Sequence, residues 1–127
     1  MSVQISCIAD AVALRNPGKV SVQVVCPENA PDAAVTITHV TMQPGAVSAR
    51  HRHERSEQIW IVEQGEGTLL LADGATRRVA AGTVVRTPAG EVHGIENTGS
   101  GVLVYLAVTA PPEDMSPRYA ERLGGAQ

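Results

Sequence analysis

Apolar residues occur in short runs of five to eight positions, many of them β-branched and several alternating with polar neighbours, the period expected of half-buried strands. The runs are VSVQVV (Val20 to Val25), VTITHVTM (Val35 to Met42), QIWIV (Gln58 to Val62), TLLLA (Thr68 to Ala72), TVVRT (Thr83 to Thr87) and VLVYLAV (Val102 to Val108). Turn residues separate them at fairly regular intervals: Asn16-Pro17-Gly18, Pro27 to Pro31, Pro44-Gly45, Gly65, Asp73-Gly74, Ala81-Gly82, Pro88 to Gly90 and Asn97 to Gly101. Asp73-Gly74, flanked by LLLA and ATRRV, is the strongest hairpin signal, because a two-residue type I′ turn needs positive φ at both positions. Many short strands without a long helical pattern between them predict a closed barrel or a sandwich. The tail differs: in SPRYAERLGG, Ser116 fits a helix N-cap, Pro117 the first helical position and Gly124 the stop. Met115, Tyr119 and Leu123 would share one face of that short helix and lie on the barrel's outside; the final Gly-Gly-Ala-Gln is expected to fray.

The chain of 127 residues has room for one domain. With no Phe and only 2% aromatic residues, its interior must be filled by Val, Leu, Ile and Ala, which again favours strands. A net charge of −3 with acids and bases interleaved offers no basic stripe for nucleic acid. No apolar run is long enough to span a bilayer, and the first residues lack the pattern of a signal peptide, so the expected location is cytoplasmic, away from membranes. Cys7 and Cys26 lack metal or redox spacing and read as reduced, buried small hydrophobes.

Two of the four histidines, His51 and His53, are one residue apart just before a strand-like run. On an extended strand their side chains point to the same side, about 6 to 7 Å apart, while Arg50 and Arg52 point the other way into solvent. Two imidazoles facing one cavity bind a divalent metal where further ligands converge; alone, the pair also reads as two surface histidines.

The surrounding pattern resembles the cupin superfamily. Its first motif is matched by Gly45, His51, His53, Gln58 and Gly65, and its second by Gly82, Pro88, Gly90, His93 and Asn97 without a gap. The resemblance covers about residues 35–108, with N-terminal strands over 1–34 and a tail with a short helix over 111–127, all in a single domain. It implies an all-β fold, an antiparallel jelly-roll barrel (double-stranded β-helix), with a metal inside near the mouth. His93 would be the third imidazole, and Asn97 would close the following turn. The family's usual fourth ligand is Glu, whereas here Glu57 and Gln58 are adjacent; counting back from Gly65 selects Gln58, with Trp60 and Val62 on the same face and Glu57 outward. A neutral Gln leaves the ion's charge uncompensated and favours anionic or enolate-like substrates. Three imidazoles disfavour Ca²⁺ and leave Fe, Ni, Zn, Mn, Cu or Co.

Around this centre, Trp60 is either core or a pocket wall, Val40 and Met42 either core or cavity lining, and Arg86 either a solvated rim residue or a contact for an anionic substrate group. His39 faces away from Met42 and is not expected to be a ligand. An open coordination position suits Lewis-acid or oxygen-activating chemistry on a small molecule. One subgroup with a Gln ligand linearises unsaturated sugar acids and carries a late-strand carboxylate, but Gly101 to Pro112 holds no acid. The leading expectation is a metal-dependent, dioxygenase-type enzyme acting on a small chelating oxygenated compound. The alternatives are a non-redox isomerase or lyase for a sugar or sugar acid, and a non-catalytic ligand-binding barrel. A homodimer is expected, formed by adding VSVQVV to a partner's sheet edge.

Overall fold

The structure, a computed structural model, describes residues 2–124. Eleven strands carry the fold: β1 (Ala13–Asn16), β2 (Lys19–Val25), β3 (Thr36–Met42), β4 (Val47–His51), β5 (Glu57–Gln64), β6 (Glu66–Leu71), β7 (Thr76–Ala80), β8 (Val84–Thr87), β9 (His93–Glu96), β10 (Leu103–Ala110) and β11 (Glu121–Leu123). They form two antiparallel sheets, one in the order β11-β1-β2-β3-β10-β5-β8 and one in the order β4-β9-β6-β7. The two sheets face each other as the expected jelly roll, because the apolar faces of strands such as β3, β5 and β10 must leave water. Val40, Met42, Trp60, Val62, Leu69, Val79, Ile95, Leu103, Tyr105 and Ala107 make up that core. In β10 the alternation is strict: Leu103, Tyr105, Ala107 and Thr109 are buried while the residues between them are only partly so.

The connections follow the sequence signals. Asp73 (φ 59°) and Gly74 (φ 76°) both take left-handed backbone, and Ala75 N donates to Ala72 O at 3.1 Å, closing the predicted primed turn between β6 and β7. After β9, the Asn97 amide donates to Met42 O and Gly101 O, each at 2.9 Å, while its Oδ1 accepts from Gly99 N at 3.0 Å. From a buried position that side chain satisfies two backbone groups of the tight loop and ties it to the end of β3 through a third.

The tail departs from expectation. Its helical content is a single 3-10 turn over Ser116–Arg118, with Met115 at the N-cap position; Ser116 instead donates from N and Oγ to Asp114 Oδ1, at 2.9 and 2.7 Å. The chain then extends as β11 and pairs with β1, from Ala13↔Leu123 to Arg15↔Glu121. A three-residue turn leaves most of its backbone groups unpaired, whereas the edge of β1 offers partners for them. Met115 and Tyr119 consequently face the cavity described below, while Leu123 is partly exposed. The expected fraying of the last residues lies outside the described residues beyond Gly124.

Two further expectations are corrected. VSVQVV is not a free edge: β2 pairs with β1 on one side and β3 on the other, so its backbone is already satisfied within the chain. Cys7 is exposed and Cys26 half-buried, both as free thiols: Cys7 lies in the segment before β1 and Cys26 in the turn that follows β2, both outside the core. No helix among the described residues is long and apolar enough to cross a membrane.

Candidate metal centre

His51 ends β4, His53 follows in the loop and His93 opens β9, with His51 and His93 directly paired across the sheet. The register of β4 against β9 shifts between Ser48 and His51. Such an irregularity bends a strand and re-aims its side chains, and here it brings the imidazoles together at the strand ends. Ring centroids lie 5.1 Å apart for His51 and His53, 4.6 Å for His51 and His93, and 5.3 Å for His53 and His93. One nitrogen from each ring lies within 4.8 Å of those of the others.

The hydrogen bonds identify which nitrogen each ring presents. His51 Nδ1 lies 2.7 Å from Ala49 O, His53 Nδ1 lies 3.0 Å from each carboxylate oxygen of Glu113, and His93 Nδ1 lies 2.9 Å from Thr87 Oγ1. A carbonyl and a carboxylate accept only, so Nδ1 carries the proton in His51 and His53 and Nε2 keeps its lone pair. The Nε2 atoms of His53 and His93 are buried without any partner in the protein. Buried imidazole nitrogens are rarely left so, and three soft nitrogen donors with their far sides tied down fit a divalent transition ion. Burial, reinforced by the neighbouring His51 and His53 and by Arg118 and Lys19, pushes the His93 pKa down to about 3; burial also lowers that of His51.

Gln58 lies on β5 in the opposite sheet, buried and lining the same cavity. Its Nε2 donates to Thr109 Oγ1 at 2.9 Å and its Oε1 accepts from Trp60 Nε1 at 3.0 Å. The amide is thereby held with oxygen and nitrogen assigned, and the second lone pair of Oε1 stays free. Glu57 points outward and pairs with Arg86 at 3.0 Å. The structure thus places Arg86 on the exterior beside Glu57, away from the cavity, because β8 alternation turns Thr87 inward and Arg86 out. Met42 is fully buried in the core and does not line the cavity, whereas Val40 does. Trp60 does both: it lines the cavity and stacks on His93 with centroids 4.5 Å apart and planes 16° from parallel. His39 is turned away, 3.5 Å from Glu63.

The cavity has a volume of about 460 Å³, within the range of small-molecule sites. Besides the residues above, its wall includes Lys19 and Ser21 from β2, Ser48 from β4, Tyr105 from β10, and Met115, Arg118 and Tyr119 from the tail. No Asp or Glu lines it. The sequence reading missed the tail residues and Glu113, which lies one position beyond the stretch scanned for acids.

The family model described as the cupin domain matches residues 38–109, more than half of the chain. The chain belongs to the cupin domain family. An oxalate-binding protein of Thermotoga maritima is 39% identical to this cupin over 67 residues, 53% of this chain and 54% of that protein. The chain therefore aligns with about half the length of that curated relative. Among solved structures, a predicted oxalate decarboxylase of T. maritima superposes with a TM-score of 0.73 at 26% identity, covering 85% of this cupin and 99% of that chain. KdgF from Halomonas sp. superposes with a TM-score of 0.67 at 28% identity, over 78% and 85%.

Proposed function

We propose that His51, His53, His93 and Gln58 hold one divalent transition ion and that the cupin is a metal-dependent enzyme for a small, chelating oxygenated anion. The observation that carries this is the set of imidazole Nε2 atoms, two of them buried without partners, gathered beside a cavity with cations and no carboxylate in its wall. A bound ion of this class supplies Lewis acidity and open coordination positions. The chain's own residues would do the rest: Trp60 and Val40 give the ligand an apolar wall, and Lys19 and Arg118 attract negative charge.

Dioxygenase-type oxidation is the leading reaction. It asks least of protein acids and bases, and the wall has no carboxylate within reach to carry a proton. A non-redox lyase or isomerase acting on a carboxylate is the second reading, favoured by the similarity to an oxalate-binding protein, a predicted oxalate decarboxylase and KdgF. The test begins with metal content, which should fall in His51→Ala and His93→Ala relative to the parent. Protein loaded with Fe(II) or Ni(II) should then consume oxygen with a chelating diketone, enol or hydroxy acid. Turnover that proceeds equally without oxygen selects the second reading, and an absence of bound metal in the parent protein overturns both.

A further inference from the structure

The inner face of β2 is polar along its length: Lys19, Ser21 and Gln23 alternate inward, Ser21 and Gln23 buried and Lys19 half-buried. An inward lysine on an edge strand is a common guard against sheet-to-sheet pairing, but β2 lies between β1 and β3 and has no free edge. Lys19 Nζ donates to Ser48 Oγ at 2.5 Å and sits 5.0 Å over the ring of Tyr119, and all three residues line the cavity. No carboxylate among the described residues lies within ion-pair distance of this ammonium. Two other cations line the cavity and are differently placed: Arg50 is turned to backbone carbonyls, donating to Leu71 O at 2.7 Å and Ala75 O at 3.3 Å. The Arg118 Nη2 atom is 3.6 Å from Glu113 Oε2, so its charge is partly answered by that carboxylate.

A partly desolvated cation with no counter-charge is costly unless something arrives to neutralise it. Ser48 and the Tyr119 ring hold the ammonium at the wall of the same cavity that His51 and His53 line. Ser48 lies on β4, three residues before His51 on the same strand. We propose that Lys19 binds a second, acidic end of the ligand whose chelating end is held at the histidines, so that the cavity selects dianionic chelators. The class is 2-oxo or 2-hydroxy acids with a distal carboxylate, in preference to neutral diketones or simple monoacids. The cavity volume of about 460 Å³ leaves room for such a molecule between the two ends. This assignment rests on the metal-centred reading above.

The test uses the full chain loaded with Co(II) and a matched pair of probes, 2-oxoglutarate and 2-oxopentanoate, which share the chelating end and differ in the distal carboxylate. Dissociation constants are read from the cobalt spectrum and from the fluorescence of Trp60. The parent should bind 2-oxoglutarate about 10- to 150-fold more tightly, the value of one hydrogen bond to a charged group. Lys19→Met and Lys19→Gln should each abolish that preference at unchanged cobalt content, and Lys19→Arg should keep it. Equal affinities in the parent, no binding of either acid, or a preference that survives both neutral variants overturns the assignment. If oxalate still shifts the cobalt spectrum in those cases, the metal centre stands and only the role of Lys19 falls. If no cobalt binds, the reading of the centre itself fails and the assignment with it.

Discussion

Both carboxylate oxygens of Glu113 lie 3.0 Å from Nδ1 of His53, joining the tail of the chain to a candidate metal ligand 60 residues earlier. The glutamate is itself fixed to β3: its backbone N donates to Thr36 Oγ1 at 3.0 Å, and that hydroxyl donates to Glu113 O at 2.9 Å. An outer carboxylate of this kind locks the tautomer of an imidazole and raises its basicity. Glu113→Ala should therefore weaken metal binding about 10- to 100-fold, and Glu113→Gln by less, since its amide oxygen can still accept. Competition with a chromophoric chelator measures this; an unchanged affinity in Glu113→Ala would show that the contact has no bearing on the centre.

The buried imidazoles make the metal-free protein sensitive to acid. With the His93 pKa pushed from 6.5 to about 3 by burial, and that of His51 lowered for the same reason, the unfolded chain binds protons between these limits that the folded chain refuses. The contribution of His93 is therefore full above about pH 6.5 and falls as the pH drops through the window toward 3, by up to about 1.4 kcal/mol per pH unit, and His51 adds a loss in the same direction. Urea denaturation at pH 7.5 and 4.5 should show the loss, and His93→Leu should reduce it. A pH-independent difference between parent and variant would remove His93 as the source.

Trp60 is the only tryptophan in the chain, and its ring lies 4.5 Å from that of His93. Addition of Cu(II) or Ni(II) should quench its fluorescence at one equivalent in the parent and leave it unaffected in His93→Ala. Trp60→Phe keeps an aromatic wall but strips Gln58 Oε1 of its donor, costing about 1–3 kcal/mol, whereas Trp60→Ala should cost about 3–5 kcal/mol. Equal losses in the two variants would mean that the hydrogen bond, not the ring, dominates.

The strands rich in apolar alternation, β3, β5, β6 and β10, were legible in the sequence because one face of each must be buried, and burial leaves a period of two; β2 shows the same period, with its valines alternating against a polar buried face. The histidine-bearing β4 and β9 were not legible from their own residues. VSARH buries no apolar side chain on β4, and HGIE is too short to show a period; both owe their pairing to neighbours. The three imidazoles, Gln58 and the outward turn of Glu57 were expected only through the resemblance to the cupin motifs, since the His51–His53 spacing by itself also reads as a surface pair. Glu113, Lys19 and the tail residues were not expected, since they meet the centre through contacts distant in sequence that no local pattern encodes. The tail was misread for a related reason: its capping signals suit one helical turn, and only the open edge of β1 decides that the chain continues as a strand.

Gly94 sets how closely β4 approaches the strand that carries His93. A Cβ at this position would lie 2.6 Å from Ser48 O and 2.9 Å from Ala49 C, both backbone atoms, so no side-chain rotation can relieve the overlap. Those atoms belong to the stretch where the β4–β9 register shifts, and Ala49 O is also the acceptor for His51 Nδ1. Gly94→Ala should push β4 outward, costing about 1–3 kcal/mol as an overpacked contact, and should weaken metal binding because His51 moves with the strand. Gly101, with nothing within 4 Å of the corresponding position, provides the comparison: Gly101→Ala should change stability by no more than about 0.5 kcal/mol and leave metal affinity intact. Thermal unfolding of both variants with and without Co(II) separates the two effects. If Gly94→Ala unfolds earlier yet gains as much from the ion as the parent does, the close approach serves the sheet alone and not the position of His51.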